Sequence, residues 1–99
     1  MNKKIKTEAV DHLFEAILTL ENAEECYAFF EDALTVKEIL DIAQRLKAAK
    51  MLRDGKSYNE VCRVTGMSSA TISRVSKALE RGQGGYKIIL DRLESGSDD

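Results

Sequence analysis

The 99-residue sequence has no proline, so no position lacks a backbone donor or forces a helix to break. No apolar run approaches the roughly 18–20 residues that cross a bilayer, which argues against a membrane partner. The basic start, Met1-Asn2-Lys3-Lys4-Ile5-Lys6, is not followed by the uninterrupted apolar stretch of a signal peptide. Cys26 and Cys62 are the two cysteines, and their separation matches neither a metal site nor a redox motif. They read as reduced packing residues in a cytoplasmic protein. The single histidine, His12, lacks carboxylate or cysteine partners at ligand spacing and reads as a surface residue. Nucleophile–base pairings and clustered metal ligands are missing too. Gly82-Gln83-Gly84-Gly85 is glycine-rich, but it lies between expected helices and no Lys-Ser/Thr follows. The chain therefore reads as a non-enzyme with no cofactor. It contains no internal repeat and no low-complexity tract.

What is present is helical. Apolar residues make up 43% and charged residues 32%, a globular balance. The length suits one domain spanning residues 1–99, with a core so limited that association between chains would help it. Thr7 caps a first helix to about Leu20, whose Val10, Leu13, Phe14, Ile17 and Leu18 share one face. Asn22 and Glu25 form a capping box for a second helix ending near Asp32-Ala33-Leu34. Its aromatics, Tyr27, Phe29 and Phe30, are too many for one neighbouring helix to bury; they either meet a second chain or anchor the core. Thr35 and Glu38 open a third helix with a wide apolar stripe, closed by Gly55. Ser57 and Glu60 open a short helix to about Val64, and Ser68 opens another to about Arg81. A last short helix runs from Tyr86 to about Leu93. The acidic end, Glu94-Ser95-Gly96-Ser97-Asp98-Asp99, reads as frayed.

The net charge of −2 conceals segregation. Residues 1–6 carry +3, residues 7–44 carry −9, residues 45–87 carry +7 and residues 88–99 carry −3. A basic half beside an acidic half is the footprint of a protein that turns one face to phosphate.

Residues 57–79 meet the demands of a helix-turn-helix. Gly66 supplies the residue tolerant of positive φ at the turn. Val61 and Cys62 on the first helix, Met67 at the turn, and Ile72, Val75 and Leu79 on the second face inward. The second helix starts with Ser68-Ser69-Ala70-Thr71, small residues that let its backbone approach the floor of the major groove of double-stranded DNA. Ser69, Ala70 and Ser73 should point toward bases, with Ala70 suited to a thymine methyl. Arg74 and Lys77, one turn on, suit a guanine edge or the backbone. Lys56, Arg53 and Arg63 cluster around the unit as phosphate contacts, and Tyr58, Asn59, Ser68 and Thr71 complete the expected DNA-binding set. Such units also dock on protein, so an interaction module on transcription machinery stays open as the alternative. RNA binding has less support, since no aromatic platform on a sheet is available.

Leu34-Thr35, Leu52-Arg53-Asp54-Gly55, Ser57-Tyr58-Asn59-Glu60-Val61 and, most specifically, Ala70-Thr71-Ile72-Ser73-Arg74 resemble the Trp repressor family of bacteria. The whole chain looks like the YerC/YecD-type branch of that family. The resemblance implies a six-helix all-α fold and an intertwined homodimer, joined through about residues 7–54 and 86–93. It also implies a transcriptional regulator, in most cases a repressor, with two readers about one DNA turn apart on a two-fold operator. The family clamps tryptophan between two arginines, and the matching positions here are Arg45 and Arg74. A glycine then makes room for the indole in the family; here the residue is Val75, a β-branched side chain. The expectation is an effector pocket at Arg45, Arg74 and Val75 that does not take tryptophan.

Overall fold

Capping side chains decide where the helices begin. The computed structural model describes residues 2–97, and its elements are α1 (Glu8–Ile17), α2 (Ala23–Ala33), α3 (Val36–Arg53), α4 (Tyr58–Thr65), α5 (Ser69–Arg81) and α6 (Gly85–Ser97). Thr7, Asn22, Ser57 and Ser68 are extended N-cap residues whose side chains accept from the backbone N–H three residues on. At α3 the box is reciprocal: Glu38 N donates to Thr35 Oγ1 at 3.1 Å, and Thr35 N donates to Glu38 Oε1 at 2.9 Å. Such caps satisfy donors that a helix start leaves orphaned.

Two ends depart from the sequence expectation. α1 stops at Ile17 rather than near Leu20. Thr19 turns its hydroxyl onto Ala16 O at 2.6 Å, and its N–H bonds the same carbonyl, so the chain tightens out of the helix. In the other direction, α6 continues through the segment expected to fray, Glu94 to Ser97. Glu94 reaches Lys50 and Arg53, each at 3.3 Å, which ties the added turn to α3. Asp98 and Asp99 lie outside the described residues.

The chain divides into two compact units, Met1–Ile39 and Leu40–Asp99. In the first, neither α1 nor α2 has a buried residue. Phe29 and Phe30 meet edge to face, 5.2 Å between centroids, but Phe14, Leu18 and Tyr27 stand more than half exposed. Among the described residues, none of these aromatics belongs to the buried cluster.

In the second unit four helices converge. Ala48 and Ala49 of α3, Val61 of α4, Ile72 and Val75 of α5 and Leu90 of α6 are buried together, with Leu46, Met51, Leu52, Cys62, Met67, Leu79 and Tyr86 packed around them. The expected inward set of the helix-turn-helix is found in this cluster. α5 packs between α4 and α6. Along α3 and α6 runs a groove of about 450 Å³, lined by Ala43, Leu46, Lys47, Lys50, Leu90, Leu93 and Glu94. No helix among the described residues is long and apolar enough to cross a membrane.

Ion pairs hold α6 to α3. Arg53 pairs with Asp91 and Glu94, Lys50 with Asp54 and Glu94, and Lys87 with Asp91 at 2.8 Å. Single exposed pairs contribute little, but groups sharing partners in this way act as a network. Hydrogen bonds from Lys87 and then Arg53 hold the Asp91 carboxyl below the usual carboxylate range.

Between α4 and α5 the chain turns at Gly66, which has φ 72 and donates to Cys62 O at 2.9 Å. Thr65 braces the turn by donating from Oγ1 to Val61 O and accepting from Met67 N. A Cβ at Gly66 would meet open space, so the cost of replacing it is conformational. We expect Gly66→Ala to lower stability by about 1–2 kcal/mol in urea denaturation. The depressed Asp91 carboxyl adds stability that is complete above the ordinary carboxylate pKa and is lost as pH falls through its own lower value. The thermal midpoint should therefore fall on acidification below about pH 4. Asp91→Asn should lower the midpoint at neutral pH and flatten that acid limb.

Candidate nucleic-acid interface

α5 presents three distinct faces. Ile72, Val75 and Leu79 point into the core, and Ile72 and Val75 are fully or nearly fully buried. Ser69, Ala70, Ser73 and Lys77 recur at helical spacing on the outer face; Ser69, Ala70 and Lys77 are exposed and Ser73 is half-buried. Between these faces, Thr71, Arg74, Val75 and Ala78 border a recess of about 220 Å³ completed by Arg45 of α3 and Tyr86 of α6. Arg45 and Arg74 thus border one cavity. Val75 serves two roles there: it is 3% exposed, part of the core, and also a wall of the recess.

The helix start presents little bulk. Ser68 caps α5 by accepting from Thr71 N at 3.2 Å, and its hydroxyl is 2.9 Å from Thr71 Oγ1. Both hydroxyls are engaged with each other, which leaves Ser69 as the outward hydroxyl of the first turn. Ala70 beside it adds a methyl group. The first-turn amides of a helix also carry the positive end of its dipole, suited to a phosphate.

The cationic residues fall into two groups. Lys56, Arg74 and Lys77 are exposed, and no carboxylate lies within ion-pair distance of them among the described residues. Arg63 is exposed and sits 3.9 Å from Glu60 Oε1, a loose contact one helical turn away. Tyr58 is 44% exposed at the start of α4, next to exposed Asn59. Arg53 departs from the expectation of a phosphate contact. Its guanidinium is committed to Asp91 and Glu94 of α6, so its charge is already met within the fold. Nothing near it in sequence announces this, because its partners lie about forty residues on.

Tyr86 is the residue that sequence reasoning placed only as an apolar contact of the last helix. It lines the recess together with Arg45 and Arg74. The available signal was its position directly after the glycine joint, which lets the chain turn α6 back toward α5. The joint is also constrained: Gly82 donates to Ala78 O at 2.9 Å, and a Cβ there would press into that same carbonyl oxygen.

Comparison with known proteins agrees with this geometry. The Trp repressor protein family matches residues 8–94. The chain is 46% identical over 91 residues to the uncharacterized protein YerC of Bacillus subtilis (strain 168), covering 92% of this chain and 88% of YerC. It is similar to the solved structure of a TrpR-like protein from Eubacterium eligens ATCC 27750, with TM-score 0.90 and 48% identity over 94% of this chain and 96% of the other. A candidate Trp repressor from Staphylococcus aureus superposes with TM-score 0.88 and 50% identity, covering 93% and 92% of the two chains. The matched span runs from the first residue of α1 into the last turns of α6, and so includes the turn at Gly66, the capped start of α5 and both arginines: the chain belongs to the Trp repressor family.

Proposed function

We propose that the chain is a sequence-specific DNA-binding transcriptional regulator, acting as a homodimer on a two-fold operator, with α5 as its reading helix. The observation that carries this reading is the outer face of α5. It starts on small exposed residues and ends on exposed Lys77, with exposed Arg74 on the adjoining flank that borders the recess. Ser69, Ala70 and Ser73 then face base edges, Ala70 against a thymine methyl, and Arg74 addresses a guanine edge. Lys56, Arg63 and Lys77 hold phosphates, with Tyr58 and Asn59 on the adjoining strand. Ser68 and Thr71 serve through the capped backbone rather than through free hydroxyls.

A second copy is the occupant we assign to the apolar surfaces. The segment 7–44 carries −9 and the segment 45–87 carries +7, so opposite segments of two chains attract. No residue of α1 or α2 is fully buried, while the groove along α3 and α6 offers apolar walls with Lys47 and Lys50 among its lining. A dimer joined through residues 7–54 and 86–93 covers both and makes residues 1–99 one functional domain. Two-fold symmetry then sets the readers about 34 Å apart, one turn of DNA.

We further propose that the recess beside α5 does not take tryptophan. Val75 fills the side where the family has glycine, and about 220 Å³ remains, less than the roughly 300 Å³ at which small-molecule sites begin.

Selection from a random DNA pool should return a two-fold symmetric consensus; an unenriched pool would favour docking on a protein. Affinity for a selected site should fall roughly 10³–10⁵-fold between about 50 and 200 mM salt if six to ten phosphates are contacted. Arg74→Ala should cost about 1–3 kcal/mol and relax specificity at one base pair, whereas Lys77→Ala should weaken all sequences alike and reduce the salt slope by about 1. Unchanged DNA retention in both variants would refute the assignment of α5. Calorimetry with millimolar tryptophan should give no saturable heat; a clear isotherm would mean that the recess opens.

A further inference from the structure

The recess beside α5 is walled on one side by α6, and that wall is aromatic. Tyr86 is half-buried, packs against the core cluster and lines the cavity with Thr71, Arg74 and Ala78 of α5. We propose that Tyr86 is a positioning residue for DNA reading: its ring wedges α6 against α5 and holds the reading helix in place with no small molecule bound. The inference rests on the role of α5 proposed above and goes beyond it by naming what fixes the reader.

α5 meets α4 at one side and α6 at the other. Its position on the α6 side depends on what α6 presents and on how firmly α6 itself is held. α6 is anchored to α3, through Arg53 with Asp91 and Glu94, and through Lys50 with Glu94. Tyr86 stands one residue into that helix, next to the glycine joint. A ring fixed to an anchored helix acts as a strut, because an aromatic side chain gives a large contact through only two torsions. The α5 side is shaped to receive it. Ala78 contributes only a methyl, and Val75 below is held in one preferred rotamer by its β-branch. The two arginines border the same cavity as the phenol, so the ring is a wall shared by α6 and the arginine-bearing side of α5.

The energetic consequence is a matter of populations. A reader that spends only a fraction of its time in the binding position shows an affinity reduced by that fraction. A strut inside the chain raises the fraction permanently, whereas a diffusible ligand would raise it only when present.

The test is amide hydrogen exchange on the full-length chain, with DNA affinity measured in parallel, for the parent, Tyr86→Phe and Tyr86→Ala. Tyr86→Phe should match the parent. In Tyr86→Ala the α5 amides should exchange about tenfold faster while the buried α3 amides are unchanged, and DNA affinity should drop by about the same factor. Millimolar 4-methylphenol, which replaces the deleted side chain, should restore both. Unchanged α5 exchange in Tyr86→Ala overturns the proposal, and so does equal acceleration in α3 and α5, which marks a general loss of stability. Should Tyr86→Ala not fold, Tyr86→Leu takes its place. Faster α5 exchange than in Tyr86→Phe then supports the strut and equal exchange refutes it; failure of the leucine variant to fold makes Tyr86 a plain core residue and also refutes it. Exchange is read without DNA, so a parent that retains no DNA counts against the reading role of α5, while normal DNA affinity in a loosened variant counts against the strut alone.

Discussion

Two adjacent alanines on α3 belong to the buried cluster on which the second unit depends. Ala48 and Ala49 are completely buried, and each brings only a methyl group to the cluster they share with α4, α5 and α6. Val61, Ile72, Val75 and Leu90 fill the space above them. One layer of apolar side chains thus fixes both helices of the helix-turn-helix and the last helix to a common base. Interiors of this kind are close-packed, so a shift of one wall is felt by the others. The outer face of α5 inherits its position from this contact, although none of its residues takes part.

Local chemistry made most of this architecture legible in advance. Thr7, Asn22, Thr35, Ser57 and Ser68 each satisfy a helix start with atoms a few residues away, and such bonds are encoded in short stretches of sequence. Gly66 announced the turn because only glycine takes a positive φ at little cost. The alternation of Ile72, Val75 and Leu79 with Ser69, Ala70 and Ser73 separates the core face of α5 from its outer face in the sequence itself.

What stayed hidden depends on partners far along the chain. Arg53 looks like a phosphate ligand until Asp91 and Glu94 are folded against it. The tail from Glu94 looks unstructured for the same reason, since acidic, serine- and glycine-rich composition argues against a helix unless a distant cation fixes it. Tyr86 and Val75 were each visible as apolar residues, but that both border one recess with Arg45 and Arg74 is a fact of helix packing. The exposed apolar side of the first unit was foreshadowed by the aromatics of α2, which left two destinations open; among the described residues none of α2 is fully buried.

The helices of the first unit have no interior of their own. Under the proposed dimer, that interior exists only when two chains meet, and the free energy of folding then carries a term in protein concentration. Newly made chains below the association threshold would present bare apolar helices to proteases, whereas chains above it would be both folded and competent. The abundance of such a regulator would be self-thresholding. Doubling its synthesis would more than double the active species, a steepness that comes from an unfinished core rather than from cooperative sites on the target.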